Sequence, residues 1–357
     1  MNTLLMENEL KRILIINLGG IGDILLSLPA LSALNSRFPN SELDLLISKR
    51  ISEIAVCIPH FRKIYPFYVN SRDGVLLLGA IHNLFTLSKL KNRRYDLAIN
   101  MRTIASKQGA SKIKFLLGTI KPKLTLGRDT DGMGYFFDIK VPEPIVGLKP
   151  ETEYDFDTIR ALGVESVSKD FNLNICADDS LKIGLLLKNN GVCESDTLIG
   201  IHPGGMPSRR WPVERFAQVI NSVSAKVNAK FVVTGDKDDL ILAKKLQELV
   251  NVVLIDFTGR LSIMDLLILI KKCRCFVSND TGPMHMAEVL KVPLVAIFGS
   301  GDFLRYDPRN IDPRAQVFYN KQACAPCNKR DCDSMKCFEA IAPEDVASGV
   351  LKIIGIS

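Results

Sequence analysis

The sequence predicts an α/β protein made of two doubly wound, Rossmann-like domains in tandem. Short, nearly continuous apolar runs such as Arg12–Asn17 (RILIIN) and residues 198–202 (LIGIH) alternate with helix-length segments in both halves, as strands buried on both faces of a parallel sheet do. In each half, a strand also runs into a glycine turn that opens a helix, the place where such sheets receive ligands. The 357 residues suit two domains better than one core, and 47% apolar against 24% charged residues is a soluble, globular balance.

Taken in order, Arg12–Asn17 is the first strand. Lys11 and Arg12 precede its apolar run, but Asn17 ends the run and no small-residue cleavage site follows, so the start reads as a strand and not a signal peptide. No run approaches the roughly 18 apolar residues that cross a bilayer. Residues 23–37 have helical spacing, with Pro29 placed to kink or tighten the helix. Glu42–Ser48 (ELDLLIS) is the second strand and residues 96–100 (DLAIN) a later one. Between residues 129 and 169 the regularity fades around Pro142, Pro144 and Pro150, with one helix expected over residues 152–162.

The second half repeats the rhythm: strands at 198–202, 231–234, 252–256, 275–278 and 293–298, helices at 212–227, 239–250, 263–272 and 283–290. Pro212 suits a first helical turn. The expected division is residues 1–190, residues 191–340, and a final helix within 341–357 that packs back across the cleft between the two sets of strand ends.

The net charge of +7 is uneven. Lys89, Lys91, Arg93, Arg94, Arg102, Lys107, Lys112, Lys114, Lys121, Lys123 and Arg128 share their stretch with one acid, Asp96. That is either a solvated face or a surface that concentrates anions such as acidic headgroups or phosphorylated sugars. Few aromatics and no nucleic-acid module point away from DNA or RNA. Nine cysteines without an export signal read as reduced cytosolic thiols. Four of them, Cys324, Cys327, Cys332 and Cys337, have spacing that suits a tetrahedral zinc or iron; four reduced thiols in a surface loop are the alternative.

Three motifs carry chemistry. The first, residues 17–23 (NLGGIGD), follows strand one with Gly19, Gly20 and Gly22. Its glycine spacing misses the dinucleotide fingerprint, and the second strand ends in Ile47-Ser48-Lys49 without a ribose-binding acid, which argues against NAD. Asp23 stands either as an N-cap or as a free carboxylate able to deprotonate a hydroxyl. The second motif contains His202, Pro203, Gly204 and Gly205, then Ser208-Arg209-Arg210-Trp211. Glycine-turn N–H groups beside guanidinium donors bind phosphate; two surface arginines and a packed tryptophan are the alternative. The third, residues 277–287, places Asp280, Thr281 and Gly282 before a helix opened by Pro283, with His285 in its first turn and free N–H groups for an anion. Asp236-Lys237-Asp238 has the form of a metal-binding Asp-x-Asp pair, but its place between strand and helix favours N-capping.

GGIGDILLSLPAL, HPGGMPSRRWPVERFAQVI and SNDTGPMHMAEVLKVPLVAIFGSGD together resemble the three signatures of glycosyltransferase family 9, the ADP-heptose:lipopolysaccharide heptosyltransferases. The resemblance covers nearly the whole chain. It implies a GT-B fold with the acceptor held mainly by the N-terminal domain and the nucleotide sugar by the C-terminal one, and inversion with no required metal or other cofactor. It implies Asp23 as general base, Arg209 against the donor diphosphate, Asp280, Thr281, Gly282 and His285 in the diphosphate turn, and Asp238 or Asp239 on the ribose. The expected function is transfer of heptose from ADP-heptose to the anionic inner core of a lipopolysaccharide precursor. That places the protein in the cytoplasm, in peripheral contact with the inner membrane. A transferase using another nucleotide sugar or modifying a protein is the related alternative, and a non-catalytic nucleotide-sugar-binding protein the alternative of another class. In the family an iron-bearing branch also carries a cysteine cluster.

Overall fold

The computed structural model describes residues 10–69, 76–165, 171–327 and 329–356; residues 166–169 of the stretch expected to be irregular lie outside them. The chain divides into two compact units, Met1–Asn174 and Ile175–Ser357.

The first unit contains β1 (Arg12–Asn17), α1 (Ile21–Leu26), α2 (Leu28–Arg37), β2 (Glu42–Ser48), β3 (Phe61–Phe67), α3 (Leu76–Arg93), β4 (Leu97–Asn100), α4 (Lys107–Ile120), β5 (Leu124–Thr130), β6 (Ile139–Glu143) and α5 (Glu151–Arg160). Its six strands are parallel, in the order β3-β2-β1-β4-β5-β6. β1 is central because Ile13 to Ile16 are all fully buried, with layers on both faces. On one face α3 and α4 pack Leu87, Leu90, Leu116 and Leu117 against Leu14 and Ile16.

The second unit contains α6 (Ala177–Asn189), β7 (Thr197–His202), α7 (Val213–Ser224), β8 (Ala229–Val233), α8 (Leu240–Leu249), β9 (Leu254–Asp256), α9 (Ile263–Lys272), β10 (Cys275–Asn279), α10 (Gly282–Val289), β11 (Leu294–Phe298), α11 (Phe303–Tyr306), β12 (Gln316–Tyr319) and α12 (Pro343–Ile354). The sheet order β12-β11-β10-β7-β8-β9 is again wholly parallel. In both units the strand order reverses beside the first strand, between β1 and β4 and between β7 and β10. Loops on either side of such a reversal splay apart and leave a crevice at the strand C-termini.

Two expectations are corrected. The helix expected over 23–37 is two helices that break at Ser27, and Pro29 lies in the first turn of α2 rather than kinking a longer helix. The prolines after residue 129 do not exclude a strand: β6 pairs with β5 at the sheet edge, where Pro142 costs no inner ladder bond. α6 forms part of the second unit, its Lys182 bonded to Asp265 of α9 at 2.7 Å. α12 packs on α7 of its own unit through Val346, Val350 and Leu351. No described helix is long and apolar enough to cross a membrane.

The basic stretch is also less exposed than its sequence implies. Arg128 is fully buried, Arg93 pairs with Glu42 and Asp44, Arg102 pairs with Asp23, and Lys123 pairs with Asp96 at 2.8 Å. The solvated lysines that remain lie mostly on α3 and α4.

Candidate active site

In the first unit the residues of interest gather at the C-terminal ends of β1 and β4. β1 runs into Gly19 and Gly20, and Gly20 is the N-cap of α1. Asp23 therefore sits at the third helical position, not at the N-cap. Its Oδ2 accepts the Gly20 N–H at 2.7 Å, and its Oδ1 accepts from Arg102 Nη1. Gly19 has no room for a side chain, because a Cβ there would run into the Asp23 carboxylate and Arg102 Nε. The Asp23 carboxylate is thus clamped between a backbone amide and a guanidinium. A cavity of about 230 Å³ opens beside the pair, lined by Gly19, Asn100, Arg102, Thr103 and Ile113 among others.

A buried polar network supports this clamp from below. Ser27 Oγ donates to Asp155 Oδ2 and bonds the Asp23 carbonyl, both at 2.8 Å. Arg128, wholly inside the unit, meets Asp155 and, at 2.9 Å, Glu151, and donates to Thr103 at 3.0 Å. Arg102 lies 4.0 Å from the same Glu151 oxygen. Burial pushes the Asp155 carboxyl up to about 7, with Arg128 pulling it down and Glu151 adding to the rise.

In the second unit three turns meet beyond β7, β8 and β10. Asn279, at the end of β10, donates through Nδ2 to the carbonyls of Pro203 at 2.9 Å and Gly204 at 3.1 Å, and accepts the Trp211 N–H at 3.1 Å. One buried amide thereby ties both ends of the second motif to the third. Gly205 has φ +124°, and its Cα faces the Thr281 methyl group, a conformation open to glycine alone. Arg209 Nη1 bonds Asp280 Oδ2 at 3.1 Å. Burial pushes the Asp280 carboxyl up and Arg209 pulls it back. Thr281 is the N-cap of α10, Pro283 lies in its first turn, and the first N–H groups of the helix point out of that end. Gly204, Gly205, Arg209, Asp280, Thr281 and Gly282 are thus brought together around one helix N-terminus.

The other expected donor-side residues divide. Asp239 is buried; it accepts from Arg210 Nη2 at 2.8 Å and from the Asp236 N–H at 3.1 Å. Arg210 also bonds the Gly205 carbonyl at 2.6 Å, so Asp239 props the second turn through Arg210. Asp238 is exposed, and its N–H is capped by Asp236 at 2.8 Å, the N-capping use expected of Asp236. His285 is buried, with Nδ1 2.8 Å from Glu288 Oε2. Burial pushes Glu288 up to about 7, against the pull of His285.

The family model described as glycosyltransferase family 9 (heptosyltransferase) matches residues 160–338. The chain belongs to this family. Its relatives include the lipooligosaccharide heptosyltransferase 2 of Campylobacter jejuni, 25% identical over 93% of this chain and 96% of that one. A lipopolysaccharide heptosyltransferase 3 of Escherichia coli is 24% identical over 93% of this chain and 95% of that one. Among solved structures, a glycosyl transferase family 9 protein from Veillonella parvula superposes with TM-score 0.79 at 22% identity, covering 98% of both chains. The E. coli ADP-heptose lps heptosyltransferase II gives 0.74 at 17%, covering 96% of this chain and 98% of that one. These likenesses establish the GT-B fold, and the family makes the chain a glycosyltransferase.

For a family 9 transferase, the roles that the sequence does not show are informative. Arg102, Arg128, Glu151 and Asp155 surround the Asp23 turn, Asn279 joins the two glycine-rich turns, and Arg210 serves the fold rather than the surface. None has a local signal, since Arg102 and Asp23 are 79 residues apart and Asn279 and Pro203 are 76. Among the described residues no group of three or more His, Cys, Asp or Glu side chains is placed to hold a metal, and Cys324, Cys327, Cys332 and Cys337 range from exposed to buried. Their loop instead braces the arginine turn through its backbone: Ser208 N–H bonds the Arg330 carbonyl at 3.0 Å, and Cys327 N–H bonds the Ser300 carbonyl at 2.9 Å.

Proposed function

We propose that the enzyme transfers a heptose from ADP-heptose to the inner core of a lipopolysaccharide precursor at the cytoplasmic face of the inner membrane. The observation that carries the reading is the convergence of Arg209, Gly205 and the N-terminus of α10 around Asp280. A guanidinium, turn amides and a helix dipole converge there, which is what a leaving diphosphate requires. The acceptor hydroxyl attacks the anomeric carbon and yields its proton to Asp23. The bond from that carbon to the diphosphate oxygen breaks on the opposite side, and the configuration inverts. ADP leaves with growing charge, which Arg209 and the α10 amides neutralise, work done by a divalent ion in metal-dependent transferases. Asp238, exposed beside the turn, is the acid assigned to the ribose.

The test is ADP release with ADP-heptose and a deacylated inner-core acceptor, the product weighed by mass spectrometry, beside Asp23→Ala and an EDTA control. Product that is lost in the variant and kept with EDTA supports the reading. Donor binding without transfer overturns the acceptor, and absence of both overturns the heptose.

A further inference from the structure

α3 is built the wrong way round for a helix that faces only water. Its inner face is ordinary: Thr86, Leu87 and Leu90 are buried against the sheet. Its outer face carries Leu77 at 71% exposure, Leu78, Ile81, Leu84 at 67% and Phe85 at 65%, where a surface helix normally shows polar residues. Large apolar side chains contiguous on one exposed face mark an interaction surface. At its C-terminal end exposed Lys89 and Lys91 flank that face on either side. α4, packed beside α3, adds exposed Phe115 at 70%, Lys112 and Lys114. Neither helix carries a carboxylate.

We propose that the outer face of α3, with Phe115 and the lysines of both helices, docks the enzyme on an anionic lipid bilayer. Apolar side chains standing clear of the fold, bordered by lysines and free of acids, match a helix lying in the headgroup layer. The lysine stems run along the apolar boundary while their ammonium groups meet lipid phosphates. The charge pattern favours this occupant over a second copy of the chain, whose α3 and α4 would present the same lysines and repel. The surface rests on the reading above in one respect, the enzyme's place at a membrane face, and names the residues that hold it there whichever sugar is moved.

Vesicle flotation of the full chain tests it, using phosphatidylcholine vesicles with and without phosphatidylglycerol. The wild type floats with the anionic vesicles and loses binding as salt rises. Leu84→Asn with Phe85→Asn, and separately Lys112→Glu with Lys114→Glu, each weaken that binding about tenfold or more. Turnover on a water-soluble acceptor is unchanged, which separates this surface from the transfer site. Absence of flotation by the wild type, or equal flotation of all three proteins, overturns the proposal. So does a concentration-dependent dimer that Leu84→Asn with Phe85→Asn abolishes.

Discussion

Arg209 reaches Asp280 through Nη1 at 3.1 Å, while its Nε is buried without a hydrogen-bond partner among the described residues. Asp280 therefore fixes one edge of the guanidinium and leaves the rest of its charge for a ligand. Arg209→Ala is expected to lower kcat/KM for the donor by roughly 10²–10³-fold, the scale of losing one charged transition-state donor. Arg209→Lys recovers part of this as a point charge without the planar fork. Asp280→Asn costs less, about tenfold, because it unsettles the arginine without removing it. Because Asp280 acts through Arg209, the double variant is no worse than Arg209→Ala alone. ADP-release kinetics on the four proteins check this, and fully additive losses would separate the two residues.

Asp23 is held from both sides, by the Gly20 N–H and by Arg102. An asparagine retains an oxygen for the amide but cannot take up a proton. Asp23→Asn is expected to fold normally, bind the donor as before, and lose roughly 10²–10⁴-fold in turnover. Circular dichroism, donor titration and single-turnover product formation separate these three statements. Loss of donor affinity equal to the loss of rate would move Asp23 out of the base role.

Most of the parallel framework was legible because buried strands such as β1, β7 and β10 are nearly uninterrupted apolar runs bounded by glycine turns. The turns announced themselves for the same reason: Gly19 and Gly205 occupy positions where a side chain would clash or strain. What the sequence concealed was pairing. Arg128 sits in a row of lysines and arginines and reads as one more surface charge. Only the packing of β5 against α5 turns it into the buried partner of Glu151 and Asp155. Asp238 and Asp239 are adjacent and chemically identical, and their opposite burial depends on the turn before α8.

The buried cluster predicts a specific pH dependence. Arg128→Met leaves Glu151 and Asp155 inside without their cation, and such a break costs about 3–5 kcal/mol. In the intact protein the Asp155 carboxyl is raised from 3.8 to about 7. Across that window the folded state keeps a proton that the unfolded chain has released. The stability from this group is therefore full below about pH 4 and is lost as pH rises towards 7. Its slope is at most about 1.4 kcal/mol per pH unit. Glu288, also raised to about 7, acts with the same sign, whereas His202, lowered to about 4 by burial, acts against both as pH falls below its ordinary value. Urea unfolding at several pH values should show Asp155→Asn with a shallower fall in stability towards neutral pH than the wild type. Parallel curves would mean that Asp155 is ionised throughout.

Asp238 and Asp239 differ in what their loss should do. Asp239 is buried and bonded to Arg210, which in turn holds the Gly205 carbonyl. Removing it strands a guanidinium and loosens the turn, at a cost of about 1–3 kcal/mol. Asp239→Ala is therefore expected to lower the Tm and to raise the donor KM as a consequence. Asp238 is exposed, and on the proposed reading it acts on the ligand alone, so Asp238→Ala is expected to leave the Tm unchanged while the donor KM rises several-fold. A charge-conserving Asp238→Glu separates the readings further, because a ribose contact depends on reach and a general surface charge does not. If both alanine variants shift the Tm equally and neither changes KM, the ribose is held elsewhere. A rise in KM for Asp238→Ala at constant Tm assigns the ribose to this turn.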